Sequence, residues 1–254
     1  MAKGLQAAMT AAFLVLGVST AYGDETISLK VGYQVLSPSG ELAAETNGIG
    51  TNVNLESDLD LEDSEEMVVE LGVSLGDFKI SAGYMPLSFQ GDSLLTRPIF
   101  FDGELYTIGT PVRSSVDLDI LDIGFTWYFL NMDDTPSRLQ VGVEVAAKIT
   151  DAEASLSDDL TNRTETASAT VPIPTVGLRG RVALADFVGI NGRFGYLGYG
   201  DNHFLDADVQ IEFSPLPLVG IYAGYRYLDI AIDESDIYVD SEFSGFYGGA
   251  LIRF

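Results

Sequence analysis

The residues best equipped for chemistry are few. His203 is the only histidine in 254 residues and stands in Asp201-Asn202-His203. An imidazole held beside a carboxylate is a common arrangement for drawing a proton from water. A surface hydrolase built this way needs a second acidic pair facing the imidazole, and Asp117 and Asp119 are the nearest in type and spacing. Leu205 occupies the place where a serine would serve acyl transfer. A lone histidine in a polar turn is ordinarily a turn residue. No catalytic residue is therefore assigned, and Asp201, His203, Asp117 and Asp119 remain only as candidates for a hydrolase alternative.

Carboxylates are the second resource. Glu56, Asp58, Asp60, Glu62, Asp63, Glu65 and Glu66 follow one another with no base among them, and Asp233, Glu234, Asp236 and Asp240 form another group. Calcium takes six to eight oxygen ligands, but the spacing matches no EF-hand loop. A solvated, repulsive rim is the simpler reading, so no metal and no cofactor is expected. The formal charge is −25, with 38 acids against 13 bases. That balance argues against nucleic acid and other polyanions as partners. There is no cysteine, hence no disulfide framework or thiolate ligand.

Something must position these groups, and the pattern is alternation. Counting back from Phe254, the residues Ile252, Ala250, Gly248 and Phe246 share one face of a strand, while Arg253, Gly249 and Tyr247 share the other. Similar segments recur. Ile27–Tyr33 alternates. Val53, Leu55, Leu59 and Leu61 through Met67 to Leu75 read as one long strand. Phe78–Tyr84 returns after a Gly76-Asp77 turn. Between Val116 and Phe129 the apolar residues shift from even to odd numbers, which suggests a β-bulge near Leu121 or Asp122. Leu139–Val145, Val176–Leu184, Val188–Tyr196, Leu205–Phe213 and a final hairpin from Leu218 complete the series. Pro172 and Pro174 would interrupt a central strand and belong near an outer rim.

Short connections (Gly76-Asp77, Asn131–Ser137, Ala185-Asp186, Ser214–Pro217) alternate with long acidic ones (Ser37–Asn52, Ser88–Arg113, Asp151–Ala169, Asp233–Asp240). Short periplasmic turns and long outer loops are the habit of transmembrane barrels. The expected fold is all-β, an antiparallel up-and-down transmembrane barrel of about ten strands, with eight as the alternative. Mean hydropathy of +0.19 beside so many acids suits a barrel whose outer face meets lipid. Lys3, the apolar run Ala7–Val18 and the small residues Ala21 and Gly23 read as a secretory leader over 1–23. Residues 24–254 then form the barrel domain in the outer membrane.

The final hairpin (Gly224-Tyr225-Arg226-Tyr227-Leu228, Phe243-Ser244-Gly245, Gly248 to Phe254) resembles a family of short Gram-negative outer-membrane β-barrel proteins of largely uncharacterised role. The stretches Asp102–Thr107 and Ser115–Leu118 are similar to that family's middle region. The resemblance implies location and fold and brings no catalytic residue. The Asp-x-His spacing at Asp201–His203 is similar to an element of the omptin proteases, also ten-stranded barrels, without their wider pattern.

Strand phase assigns the charges. Lys30, Lys79, Arg138, Lys148, Arg179, Arg181, Arg193, Arg226 and Arg253 fall on the polar, inward face, together with Glu70, Glu144, Asp206, Asp208 and Glu212. Arg179, Arg181, Arg193 and Arg226 are expected to pair with those acids and close the lumen. The functional expectation is a non-enzymatic barrel with a structural or surface-interaction role; a narrow pore for small solutes and a His203 hydrolase are the alternatives. Expected partners are outer-membrane lipid, lipopolysaccharide and the barrel-assembly machinery, with no nucleic acid and a monomeric state.

Phe254, Ile252 and Phe246 read as an assembly signal. If recognition is the main task of Phe254, its deletion should cut outer-membrane yield far more than it lowers the melting point of chain refolded in detergent. Normal yield with a large loss of stability would make it a packing residue instead.

Overall fold

The computed structural model describes residues 27–44, 51–101, 104–132, 138–158, 160–161, 163–200, 202–216, 218–234 and 237–254. The expected leader, Asp201 and Asp236 lie outside them. Along the chain run β1 (Ile27–Ala44), β2 (Val53–Asn54), β3 (Ser64–Leu75), β4 (Phe78–Leu94), β5 (Ile99–Phe101), β6 (Glu104–Tyr106) and β7 (Pro111–Asn131). They are followed by β8 (Leu139–Asp158), β9 (Arg163–Ala185), β10 (Val188–Tyr199), β11 (Asn202–Leu216), β12 (Val219–Glu234) and β13 (Ile237–Arg253). Ten of these, β1, β3, β4 and β7 to β13, pair antiparallel in chain order, and β13 returns to β1. The seam runs from Ser28↔Arg253 to Ala44↔Ile237. It is finished by Phe254, whose backbone N–H donates to Ile27 at 2.8 Å. The barrel is closed.

Closure follows from the solvent. An open sheet edge in hydrocarbon leaves backbone groups unsatisfied at several kcal/mol each, so the last strand must find the first. The outer face agrees with that solvent. Phe125, Trp127, Phe129, Ile211, Ile221 and Phe246 all point outward and are exposed. Phe246, Ile252 and Phe254 share that face, and Phe246 is the most exposed of the three.

The strands overshoot the bilayer. One crossing takes about 9–11 residues, yet β7 has 21 and β9 has 23. The segments Ser37–Asn52, Ser88–Arg113 and Asp151–Ala169, expected as loops, are therefore corrected in large part to strand. The barrel wall simply continues upward into extracellular water, as does the β12–β13 hairpin through Glu234↔Ile237.

That continuation explains the shift of apolar residues in β7, which is not a bulge. Pairing of β7 with β4 runs without a break from Phe78↔Trp127 to Leu94↔Pro111, and its irregularity against β8 lies at Tyr128/Leu130 instead. Even-numbered residues point inward along most of the strand. Below Leu121 the outward residues are apolar and the inward ones are Asp122, Gly124 and Thr126. Above it the outward residues are Asp119, Asp117 and Ser115, while Ile120, Leu118 and Val116 fill the inside. Burial stays in phase and hydrophobicity inverts, because the outside changes from lipid to water. β4 inverts at the same level, with Tyr84 outward and Met85, Leu87 and Phe89 buried inside.

The extracellular half of the bore thus holds an apolar core. Val53, Leu55, Leu59 and Leu61, expected on a lipid-facing strand, are corrected to a plug: only β2 is strand there, and the rest folds inward against Leu36, Phe89, Leu228 and Phe243. Phe89 and Phe243 stack with centroids 5.0 Å apart. Ser93 donates to the Asp58 carbonyl at 2.7 Å, and the Glu62 N–H to that of Gln90 at 2.9 Å. A Cβ at Gly91 would run into the carbonyl oxygens of Leu59 and Asp60, so glycine is what lets the plug lie against the wall. A void lined by Leu42, Val53 and Phe101 measures about 10 Å³, at or below the size needed for one water.

Pro172 and Pro174 pair with Ile149 and Ala147 within β9 rather than ending it. They are tolerated because β10 stops pairing at Tyr196↔Val176, leaving β9 with a single neighbour beyond that point.

Asp58 ties the plug to the loop above. Its carboxylate accepts from Arg97 Nε at 3.2 Å and from the Asn54 backbone N–H at 2.9 Å. The Arg97 hydrogen bond is the main cause that holds its pKa below the usual value. A depressed carboxylate contributes stability above its unfolded pKa, about 3.9, and loses it as pH falls through the folded value. Amide protection over 51–62, taken against the intrinsic rate at each pH, should accordingly fall below about pH 4, a relatively faster exchange, with the membrane strands still protected. Asp58→Asn should show that faster exchange at neutral pH; wild-type protection in the variant would refute the tie.

Candidate functional site

Below the plug the bore is polar, and alternation brings its charges together. Asp206 of β11 is wholly buried and receives three cations: Arg193 Nη2 at 2.7 Å, Arg226 Nη2 at 2.7 Å and Lys148 Nζ at 2.6 Å. Lys148 also lies 2.6 Å from Asp122, which bonds Arg193 as well. Strand register places Asp208 directly opposite both Arg193 and Arg226. Yet Arg193 stands 3.9 Å from Asp208 and closer to Asp206, because long side chains reach diagonal neighbours. Gly195, opposite Asp206, leaves room for that convergence.

Toward the periplasm a second group forms. Arg179 Nε donates to Glu144 at 2.6 Å, and Thr126 donates to the same carboxylate at 2.9 Å. Glu70 lies 3.6 Å from Lys79 and 3.8 Å from Arg179. Glu212 takes Lys30 at 3.0 Å and Arg253 at 2.7 Å, and Asp208 accepts from the Tyr247 hydroxyl at 3.0 Å. Isolated buried ions cost several kcal/mol each, and only multiple partners offset that. Here each buried acid has at least one basic or hydroxyl partner.

Two expectations about the network are corrected. Asp122 was missed because the shift at Leu121 suggested a bulge; uninterrupted alternation from Trp127 upward would have placed it inside. Arg181 was expected to pair, yet no acid described here lies within ion-pair distance of it. Its strand neighbours are Gln140 and Asn191, amides instead of carboxylates.

The network does not fill its half of the bore. A cavity of about 1570 Å³ extends from Gln34, Met85 and Ile120 down to the turn residues Gly76, Asp77, Asp186 and Phe187. It is a vestibule opening at the short-turn end, which is periplasmic in these barrels.

The hydrolase candidates are not assembled. His203 points outward from β11, and its Nε2 lies 3.1 Å from Asp229 of β12. Asp117 and Asp119 point outward from β7, where Asp119 accepts from the Tyr84 hydroxyl at 2.5 Å. They therefore stand on the outer wall and not across a mouth. Sequence had offered Asp201 beside His203; the described contact is with Asp229, the diagonal neighbour on β12, since register sets Ala231 directly opposite. The acids Glu56 to Glu66 do not line one strand either, since Asp58 is buried under Arg97. Among the described residues no group of three or more acids and histidines is placed to hold a metal ion.

Asp206 is the test of the network. Asp206→Ala leaves three buried cations without their shared carboxylate and should cost about 3–5 kcal/mol, measured by urea unfolding in detergent. Asp119→Ala, on the wet outer wall, should cost under about 1 kcal/mol.

No protein-family model and no curated protein matches the sequence. Solved structures do. The outer membrane protease OmpT from Escherichia coli aligns at a TM-score of 0.65 and 10% identity, over 93% of this chain and 99% of that one. The attachment invasion locus protein Ail of Yersinia pestis is 11% identical over 90% and 99%, at 0.41. The translocator domain of the autotransporter NalP from Neisseria meningitidis is 12% identical over 99% and 97%, at 0.44. The likeness to OmpT is one of fold. With the closed sheet and the apolar outer band, it makes this chain a ten-stranded antiparallel β-barrel of the Gram-negative outer-membrane type.

Proposed function

We propose that the protein is a non-conducting outer-membrane barrel with a structural or surface-interaction role. The observation that carries this reading is the apolar plug across the extracellular half of the bore, where Leu36, Leu55, Phe89 and Leu228 are fully or almost fully buried. Water and ions would have to cross that core. Above the membrane, the outer wall presents Asp117, Asp119, Asp151 and Glu153 at facing positions of β7 and β8. Such a surface repels polyanions and would meet lipopolysaccharide phosphates only through bridging divalent cations. In this reading the chain is a monomer delivered by the barrel-assembly machinery, and its contacts are lipid and lipopolysaccharide.

A narrow pore is the second reading, favoured by the wide periplasmic vestibule. A protease like OmpT is the third, and the placement of His203 on the outer wall away from Asp117 and Asp119 speaks against it.

Planar-bilayer recording separates the first two. The wild-type chain should give no stepwise conductance, whereas Phe89→Ala with Phe243→Ala should produce flickering openings as the core loosens. Steady wild-type conductance would replace this reading with the pore. Peptide hydrolysis lost in His203→Ala would replace it with the hydrolase.

A further inference from the structure

The periplasmic vestibule carries charge of the opposite sign to the rest of the protein. Eight bases and six acids line it among the described residues, in a chain of net charge −25. Most of those bases are engaged by acids of the bore. Arg181 is the exception. It sits two residues nearer the periplasm than Arg179 on β9, in a row with Gln140, Asn191 and Gln210 on the neighbouring strands. That row offers amides and no carboxylate.

Three donors here are buried with no hydrogen-bond acceptor among the described residues: Arg181 Nε, Arg179 Nη2 and Asn191 Nδ2. All belong to inward positions of β9 and β10 that line the same cavity. Glu212, on the adjoining part of the wall, is already taken by Lys30, Arg253 and the Gln210 amide. Unmet donors on two guanidinium groups and an amide, carried by residues that line a chamber of this size, leave a place for an acceptor from outside the chain. Arg presents a planar pair of N–H groups that matches a carboxylate or phosphate edge.

We propose that the vestibule binds an oxyanion, the carboxylate or phosphate group of a small periplasmic solute, through Arg181 with Asn191 and Arg179. A volume of about 1570 Å³ exceeds the usual 300–1,000 Å³ of small-molecule pockets, so the group enters with the body of its solute still in the chamber. The site goes beyond the closed-barrel reading and does not rest on it, since a vestibule open to the periplasm fills whether or not the plug conducts.

The test uses full-length chain refolded in detergent without phosphate and titrated calorimetrically with inorganic phosphate and, separately, with succinate. Saturable binding of at least one is expected with Kd near or below about 1 mM. It should weaken about tenfold or more in Arg181→Gln and stay unchanged in Arg113→Gln, which alters an extracellular, outward arginine. Arg181→Gln breaks no ion pair, so it should fold; if it does not, Asn191→Leu serves with the same expectation. Phosphate binding alone assigns a phosphate-bearing solute, and succinate binding alone a carboxylate. Absence of saturation with both probes overturns the site, as does equal affinity in wild type and Arg181→Gln.

Discussion

Every other feature of this protein depends on the pairing of β13 with β1. Hydrocarbon offers no hydrogen bond to a free strand edge, so the sheet has to close on itself, and ten strands is where it does. Closure creates an inside that neither lipid nor bulk water automatically fills. The fold then has to solve a packing problem that an open sheet would not have.

It solves the problem twice, by different means at different heights. Within the membrane the outward positions are committed to lipid, so polar residues occupy the inside, where they survive burial through shared partners: one carboxylate, Asp206, holds Lys148, Arg193 and Arg226. Above the membrane the outward positions are wet, and the inside takes the apolar residues instead. The two solutions meet near Leu121 on β7 and Tyr84 on β4. The upper one is dry and dense, around Phe89 and Phe243. The lower one leaves a chamber open at the periplasmic turns. One barrel thereby has an acidic extracellular wall, an apolar core inside that wall and a base-rich vestibule below it.

Much of this was legible in the residues alone. Alternation identified the strands and the lipid-facing set, the count of short turns led to ten strands, and phase placed Arg179, Arg193, Arg226, Glu144 and Asp206 on the inner face. These are local properties: a strand's period of two and the cost of a charge in lipid act on each segment separately. The same rule misled wherever the solvent outside the wall changed. It made a bulge of Leu121–Asp122, hid Asp122 from the network, and turned Val53 to Leu61 into a strand, although only Val53 and Asn54 belong to one.

The sequence by itself determined that the chain forms a closed barrel, which face of its membrane segments meets lipid, and that Lys148, Arg179, Arg193 and Arg226 lie inside it. Only the tertiary structure decided how the bore is filled, that Arg181 lacks an acid, and that His203 meets Asp229 instead of Asp117 or Asp119. The reason is the range of the interactions. Facing lipid or facing the bore is set by one residue and its immediate neighbours. Which side chains converge on Asp206, and which loop folds down onto Phe89, depends on strand register and tilt around the whole barrel, joining residues such as Asp122 and Arg193 that stand 71 positions apart.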